Sequence, residues 1–470
     1  MAGVDQSLPV DQQCGAWLPI LTKRLDAARP RIELLRSYRE GDAPLPELTA
    51  NTRAGWQKFQ RESRTNWADS IITSVADRIV PLGIQVAGST ESDEARRAQH
   101  IWRDNRMEII VPEFVRDGLA YSNSYLLVSS EPSDDGPKAI ITAEGPQFVY
   151  ASTDPLRSWI VRAAVKVWRD DDAKVDYAQV WVVGGRTTFW RPARSGGRLR
   201  MRTSSRDWQP VEGSFRQISG DIPVYPYQNP GGFGDFEQHL DLINRINRGI
   251  LQRITTTAMQ AFRQRALQRK EQQPGYGTKD DDEGDDDVDY TEVFEYAPGA
   301  LWELPEGWNV WESTYTDITP MLTASKDDLR ELAGVTRTPL PMLIPDGANQ
   351  SAMGATQMAS GLYFKARERL AVAKITLAAA MLKAMRVEGV EPSGTIQILC
   401  EDPERVTLTE KYAAAAQAKT AGESWKSIQR NILGRSPDQI RQDAQDHAAE
   451  QLAAALLSGS APQPASARTQ

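Results

Sequence analysis

The 470-residue sequence predicts an α+β fold, with strands confined mainly to the first half and long helices dominating the second. Three observations indicate this class. Short segments rich in β-branched and aromatic residues, such as "NSYLLVSS" at 123–130, recur before residue 235 and are bounded by turn residues. Apolar residues at steps of three and four mark long helices after it. A proline- and glycine-rich break, "TPLPMLIPDGANQSAMGATQ" at 338–357, then separates two of these helices.

The strand-rich region covers residues 1–235 and reads as a meander of antiparallel strands on a helical base. The segment "ADSIITSVADRIVPLGIQV" at 68–86 predicts a helix that ends near Pro81 and turns into a short strand. Two clusters of strand-like segments follow, with "GG" and "DDD" as turns. We therefore expect one mixed domain before residue 236.

A first long helix is predicted over 236–269, introduced by the glycine-rich stretch "NPGGFGD". A second helix is predicted over 318–337, where Pro320 lies in the first turn and is tolerated. The apolar positions of these two helices are candidates for packing between them. They are Phe236, Leu240, Ile243, Ile250 and Ile254 on the first helix, and Leu322 and Leu329 on the second.

The remaining segments are predicted from the same signals. Residues 270–317 lie between the two helices and suggest two or three short strands in a small excursion. The break at 338–351 precedes a helix over 352–387, in which no proline occurs. Residues 388–457 begin with a strand-like "GTIQILCED" and continue as alanine-rich helices, whereas 458–470 have the composition of a disordered tail.

Charge and cysteine content exclude several classes of protein. The net charge of −8 is carried entirely by the eight acids between Asp280 and Asp289, so the rest of the chain is neutral. A neutral chain is poorly suited to tight, sequence-specific DNA binding. Cys14 and Cys400 have no C-x-x-C partner, so neither a disulfide framework nor a zinc site is expected. We predict no signal peptide and no membrane helix, because no apolar run approaches about 18 residues.

The sequence contains no catalytic signature. It lacks G-x-x-x-x-G-K-[ST], G-x-S-x-G and H-E-x-x-H, and its histidines, His100, His239 and His447, are scattered. Aligning Gly284 with the glycine of an EF-hand places Lys279 and Tyr290 where carboxylates are required, so that motif is rejected. We expect no enzyme activity, no metal and no cofactor.

Two segments leave alternatives open. The acidic residues are a solvated, self-repelling loop, a contact for a basic partner, or a weak divalent-ion site. They comprise Asp280, Asp281, Asp282, Glu283, Asp285, Asp286 and Asp287. The "NPGGFGDF" stretch is either a phosphate-cradling loop or a linker with Asp235 as the N-cap of the following helix. The linker is favoured because the G-x-G-x-x-G spacing is missing.

The order and spacing of several stretches over about residues 30–450 resemble the portal proteins of tailed bacteriophages, in the group from phages of Gram-positive and actinobacterial hosts. These stretches include "NWADSIITSVADRIVPLGIQV", "VRDGLAYSNSYLLV", "IPVYPYQNPGGFGDFEQHLDLINRINR" and "LAGVTRTPLPMLIPDGANQSAMGA". No single stretch is a catalytic motif. Their arrangement together carries the resemblance.

The resemblance implies a ring-forming fold with wing, two-helix stem, small α/β clip, long kinked helix and helical crown. The wing corresponds to 1–235, the stem helices to 236–269 and 318–337, and the clip to 270–317. The tunnel loop corresponds to 338–351, the long helix to 352–387, and the wing return and crown to 388–457. The loop residues implied to face DNA are Asp346, Gly347, Asn349, Gln350 and Ser351.

The function implied by the resemblance is a portal ring, usually a dodecamer, at one vertex of the virion capsid, assembled in the host cytoplasm. Double-stranded DNA of any sequence would pass through its channel. The clip would dock the terminase large subunit and later a head-completion (adaptor) protein, and the ring would contact major capsid and scaffold proteins. The alternatives are another virion or scaffold-binding protein without a channel, or an acid-dependent nuclease.

Overall fold

The computed structural model describes residues 4–5, 7–45, 54–86, 92–133, 136–193, 202–204, 207–261, 265–269, 308–312, 314, 316–343, 352–404 and 407–457. Mixed α and β structure is confirmed, with strands concentrated before residue 230. The α-helices of the described residues are α1 (Val10–Arg39), α2 (Ala54–Glu62), α3 (Trp67–Ala76), α4 (Asp93–Asp104), α5 (Met107–Tyr121), α6 (Leu240–Ala261), α7 (Thr319–Thr336), α8 (Leu340–Leu343), α9 (Ala352–Val387), α10 (Leu408–Thr420), α11 (Trp425–Asn431) and α12 (Pro437–Leu457).

The strands form four sheets within the described ranges, all with antiparallel pairing. The largest sheet has the order β4-β5-β6-β7-β8, with β9 also paired to β7, and so contains the predicted meander. The strands are β1 (Pro81–Val86), β2 (Asn123–Glu131), β3 (Lys138–Glu144), β4 (Val149–Thr153), β5 (Val161–Asp170), β6 (Val175–Val182), β7 (Gly185–Pro192), β8 (Gln209–Pro210), β9 (Arg216–Gln217), β10 (Val224–Gln228), β11 (Arg265–Arg269), β12 (Trp308–Glu312) and β13 (Ile396–Cys400).

The chain divides into two compact units. The first comprises Met1–Pro44, Asn66–Leu240 and Leu332–Gln470, and the second comprises Leu45–Thr65 and Asp241–Glu331. The second unit therefore holds most of α6 and α7 and the β11–β12 hairpin-like pair. Within it, Arg245 of α6 forms ion pairs with Asp328 and Glu331 of α7.

The core of the first unit begins with α1, which lies on one face of the large sheet. Its buried residues Cys14, Leu18, Leu21 and Leu25 follow steps of four, three and four, which place them on one side of a helix. They meet alternate residues of β5 and β6, because a strand sends every second side chain to the same face. The sheet residues of this cluster are Ala163, Val165, Val167, Ala178, Val180, Val182 and Phe189.

The opposite face of the large sheet packs against the three-stranded sheet β10-β2-β3. Ala164 and Trp181, which lie between the residues of the first cluster, join Tyr125 and Leu127 of β2 and Val224 of β10. The large sheet is thus covered on both faces. The face opposite α1 is apolar only in part, because it also carries the half-buried polar residues Lys166 of β5 and Gln179 of β6.

A long-range pairing closes the first unit. β1 pairs with β13, so that Val86 lies opposite Ile396 and Ile84 lies opposite Ile398. Both strands were predicted from their β-branched residues, but nothing local in the sequence indicates that they pair. The C-terminal part of the chain therefore returns to the domain formed by its beginning.

The first long helix is shorter than the predicted 236–269. Asp235 is held outside the helix by its backbone N–H, which donates to the Leu119 carbonyl at 2.8 Å. A 3-10 turn at Glu237–His239 then leads into α6. At the other end, Arg265–Arg269 is strand β11, because its backbone pairs with β12 instead of continuing helical bonds.

The other predicted helices lie close to their expected positions. The helix predicted over 318–337 is α7, and the one over 352–387 is α9, a single helix of 36 residues. α10 begins with a capping box between Thr407 and Glu410, and no residue of α10 is buried. In the described parts of the chain, no helix combines the length and apolarity that crossing a membrane requires. The predicted tail, 458–470, lies outside the described residues.

Candidate functional site: the root of the predicted tunnel loop

The residues predicted to face DNA lie outside the described residues, as do the acidic residues of the predicted clip. The first set is Asp346, Gly347, Asn349, Gln350 and Ser351, and the second is Asp280, Asp281, Asp282, Glu283, Asp285, Asp286 and Asp287. Both flanks of the loop are described. The described part of the site consists of the end of α7, α8 and α9.

The end of α7 is set by backbone conformation before the prolines begin. Arg337 adopts a left-handed conformation, with φ of 56°. The N–H of Thr338 donates to the Ala333 carbonyl at 3.0 Å, a bond typical of helices that end in a left-handed residue. Pro339 and Pro341 follow and prevent the helix from restarting in the same direction.

A buried lysine of α9 contacts this helix end. Lys365 is 7% exposed, and its Nζ donates to the Thr336 carbonyl over 3.1 Å. A lysine at this position satisfies one of the carbonyls left unpaired at a helix C-terminus and places positive charge at the negative end of the helix dipole. Lys365 thereby joins the two flanks of the loop.

The same ammonium group forms an ion pair with Asp235, whose side chain is fully buried. The Lys365 Nζ lies 3.1 Å from Asp235 Oδ2, and the Arg369 guanidinium lies 3.2 Å from Asp235 Oδ1. Asn229 also donates to Asp235 Oδ1, at 2.9 Å. We call Asp235, Lys365, Arg369 and Asn229, with the Thr336 carbonyl, the junction cluster. It connects three segments: the turn before α6, the end of α7, and α9.

The electrostatics of the junction cluster follow from its burial. Loss of water lowers the pKa of Lys365, and the nearby charges of Arg369 and Arg337 lower it further, while Asp235 raises it. Burial, together with the charge of Lys365, also lowers the pKa of His239. One carboxylate therefore holds two cations in a region with little solvent.

The glycine-rich stretch before α6 is a tightly bonded turn. The N–H of Gly232 donates to the Asn229 carbonyl at 2.9 Å, and the N–H of Gly234 donates to Glu237 Oε2 at 2.8 Å. Glu237 in turn forms an ion pair with Arg31 of α1. These N–H groups are already used, which argues against a phosphate cradle. Asp235 as the N-cap of α6 is also wrong, because its side chain is committed to the basic residues of α9.

Gly234 is required by close packing. A Cβ at this position would lie 2.2 Å from the Ala120 carbonyl oxygen, well inside van der Waals contact. The turn is thus pressed against the end of α5. This contact fixes where Asp235 lies and hence where Lys365 and Arg369 meet it.

The apolar residues proposed for stem packing differ in burial. Phe236, Ile243 and Leu329 are buried, and Leu322 is 36% exposed. The half-buried members are Leu240, Ile250 and Ile254. Ile246 and Leu251 of α6 are also buried in the single chain.

Sequence reasoning missed the basic members of the junction cluster. A signal was present, because Lys365 and Arg369 lie within the apolar stripe that Leu362, Ala366 and Leu370 form on α9. A cation in such a stripe must be paired or must reach solvent. Its partner, Asp235, lies 130 residues away, and helical spacing gives no information about it. Elsewhere in the described residues, no cluster of three or more His, Cys, Asp or Glu is arranged to hold a metal ion.

Comparison with known proteins identifies the family. Residues 20–423 match the model of the family described as phage portal protein, SPP1 Gp6-like. Because the match covers most of the chain, the chain belongs to this family, which is one of structural proteins of phage particles. No curated protein matches the chain.

Two solved structures from gene transfer agent (GTA) particles are similar along most of their length. A chain in the neck of an empty GTA particle, computed with C6 symmetry, is 16% identical with a TM-score of 0.45, covering 87% of this chain and 94% of that one. A chain in the virion of a native GTA particle is 14% identical with a TM-score of 0.43, covering 86% and 98% respectively.

Proposed function

We propose that this chain forms the portal ring at one vertex of a phage capsid, in twelve copies around a central channel. Membership of the phage portal family over residues 20–423 is the observation that carries the proposal. The ring is a conduit rather than an enzyme, and ATP hydrolysis belongs to a separate terminase. DNA enters through the channel during packaging and leaves through it during ejection.

Electron microscopy of the purified full-length chain tests this proposal. Closed rings with a central hole are expected, and native mass measurement of the same sample gives the number of subunits. A protein that stays monomeric under all assembly conditions would contradict the proposal. Open filaments in place of rings would favour a virion protein without a channel.

We further propose that residues 338–351 form the tunnel loop, which lies against DNA through weak contacts. No Lys or Arg occurs between Thr338 and Leu362, which suits a surface over which any DNA sequence must slide. The junction cluster supports this assignment, because a loop that lies against DNA keeps its position only if both of its flanks are held firmly. Lys365 contacts the end of α7 from α9 and so supplies that support.

The excursion between the stem helices is proposed as the clip, the platform for the terminase large subunit and then for the head-completion protein. Its acidic residues, 280–287, would meet basic groups on one of these partners. Replacing the acids by Asn and Gln should weaken docking and leave ring formation unchanged. If docking and the yield of filled heads are both unchanged, these acidic residues form a solvated loop.

A further inference from the structure

The outer edge of β3 is bonded to side chains. Among the described strands, β3 is the last one of the three-stranded sheet β10-β2-β3. The last strand of a sheet offers its outward N–H and C=O groups to any further strand, including one from another chain. Here the N–H and C=O groups of Ala139 and the N–H group of Ile141 are already bonded, to Asn105 and Glu388.

Asn105 supplies two of these three hydrogen bonds. Its Nδ2 donates to the Ala139 carbonyl at 3.1 Å, and its Oδ1 accepts from the Ile141 N–H at 2.7 Å. The side-chain amide therefore presents one donor and one acceptor to β3, as the backbone of a neighbouring strand would. Nδ2 also donates to the Ile101 carbonyl at 2.9 Å, at the end of α4. Both amide hydrogens are used, which fixes the orientation of the side chain.

The position of Asn105 is set by the helices on either side of it. α4 ends at Asp104 and α5 begins at Met107, so that only Asn105 and Arg106 join them. Arg106 adopts a left-handed conformation, with φ of 51°, which turns the chain from one helix into the next. α5 packs against β2 and β3. The turn that carries Asn105 is thereby held beside β3.

Glu388, the residue after the end of α9, supplies the third bond. Its Oε1 accepts from the Ala139 N–H at 3.1 Å, and its Oε2 lies 2.6 Å from Nε of Arg97 on α4. The side chain of Glu388 is only 4% exposed. A buried carboxylate that is both paired with a cation and bonded to an N–H group is held firmly in place.

The sequence of β3 is typical of segments that pair with copies of themselves. It reads "KAIITAE", with the β-branched residues Ile140, Ile141 and Thr142 at its centre, and the charges of its first and last residues cancel. Short segments with high β-propensity, low net charge and no proline are prone to pairing between chains. Two identical edges can pair around a two-fold axis, because each offers the groups that the other needs. The strand most suited to the open edge of β3 is therefore the β3 of a second copy.

We propose that Asn105 and Glu388 keep the outer edge of β3 closed to strand addition by a second copy of this chain. Each of their bonds uses a backbone group that an incoming strand would need. An incoming strand would also leave the buried Glu388 carboxylate without its backbone donor, which is unfavourable. This protection is a property of the single chain, so it holds whether or not the chain forms the proposed ring.

The proposal is tested with full-length variants at equal concentration. Light scattering follows the growth of assemblies, and thioflavin T fluorescence follows β-sheet pairing between chains. Asn105→Ala should raise the growth rate of both signals about tenfold, because it frees two backbone groups for bonds between chains. Glu388→Ala frees one such group and should raise both signals less. Glu388→Gln keeps an acceptor oxygen for the Ala139 N–H and should behave as the wild type.

Ser92→Ala is the matched control for a general loss of stability. Ser92 accepts from the Ala95 N–H at 3.2 Å and so caps α4 at the end opposite to Asn105. Its replacement should lower the thermal midpoint without raising either signal. Equal increases in Ser92→Ala and Asn105→Ala would overturn the proposal, as would wild-type behaviour of Asn105→Ala. If Asn105→Ala does not fold, the two Glu388 variants decide, and equal signals from both of them would contradict the proposal.

Discussion

At the scale of single residues, the most consequential feature is the balance of charge in the junction cluster. Asp235 is the only carboxylate among its members, and it faces the buried Lys365 and the half-buried Arg369. Removing Lys365 leaves Asp235 paired with Arg369, whereas neutralising Asp235 leaves Lys365 without its carboxylate and Arg369 with only the exposed Glu368, 2.9 Å away. The two kinds of substitution should therefore differ in severity.

We expect Lys365→Met to lower the free energy of unfolding by about 3 kcal/mol, because Arg369 still pairs with Asp235. Asp235→Asn should cost more, about 5 kcal/mol, because Lys365 loses its carboxylate while buried and Arg369 keeps only the exposed Glu368. Urea denaturation under identical assembly conditions measures both values.

The matched control for this pair is Arg367→Met on the same helix. Arg367 is 43% exposed and pairs with Asp402 and Glu404 at the surface, so its replacement should cost less than about 1 kcal/mol. If Arg367→Met lowers the free energy of unfolding as much as Lys365→Met does, burial of the junction cluster does not determine the cost of losing an ion pair.

The free energy of unfolding of the first unit depends on pH through His239, and the direction of this dependence follows from the lowered pKa of that residue. Its pKa is lowered in the folded state, so the unfolded chain takes up the proton first as the pH falls. The stability linked to His239 is complete above its ordinary pKa of 6.5 and is lost as the pH falls below that value.

His239→Gln should therefore make the unfolding free energy less sensitive to pH between about 7 and 5. Denaturation curves at several pH values for the wild type and the variant provide the comparison. A difference between the two proteins that stays constant with pH would contradict the assignment.

At the scale of elements, two glycines show how the same residue type has opposite roles. Gly234 lies in a turn pressed against the Ala120 carbonyl, where there is no room for a side chain. Gly15 lies inside α1, is exposed, and has open space where its Cβ would be. The first position needs glycine, and the second merely tolerates it.

Gly234→Ala is expected to destabilise the chain by about 3 kcal/mol, because the turn before α6 must move away from α5. Gly15→Ala should instead stabilise it by about 0.5–1 kcal/mol, since alanine is the better helix former. Thermal unfolding of the two variants checks the opposite signs. A neutral Gly234→Ala would mean that the turn can shift without disturbing Asp235.

The elements also show what the sequence could predict. The bounds of α7 and α9 follow from local signals, namely apolar periodicity, Pro320 in a first turn and the prolines after Thr338. The pairing of Asp235 with Lys365 and of β1 with β13 could not be predicted, because both join segments far apart in the chain. Asp235 was misassigned for the same reason: an acid before a helix is a typical N-cap, and only the fold shows that α9 lies beside it.

At the scale of the whole molecule, family membership and a loop without Lys or Arg lead to a prediction about DNA. Lysines at the proposed DNA-facing positions would add salt-dependent phosphate contacts to each subunit, and a ring would multiply them. Replacing Asn349, Gln350 and Ser351 by Lys should therefore slow or stall DNA packaging while rings still form.

Packaging of DNA into heads carrying the lysine variant measures this effect. The matched control replaces the same residues by Ala, which adds no charge and should leave packaging closer to the wild-type rate. Normal packaging by the lysine variant would show that this loop does not contact the DNA during packaging.

The pairing of β1 with β13 has a consequence for synthesis on the ribosome. β1 is complete at residue 86, whereas its partner begins at residue 396. At roughly 5–20 residues per second, about 15–60 s pass before the partner strand exists. During that time the edge of β1 has no strand beside it, which is a hazard for aggregation. A chain that stops before Ile396 has no partner strand for β1. A truncated subunit therefore keeps an exposed strand edge that is paired in the full-length subunit.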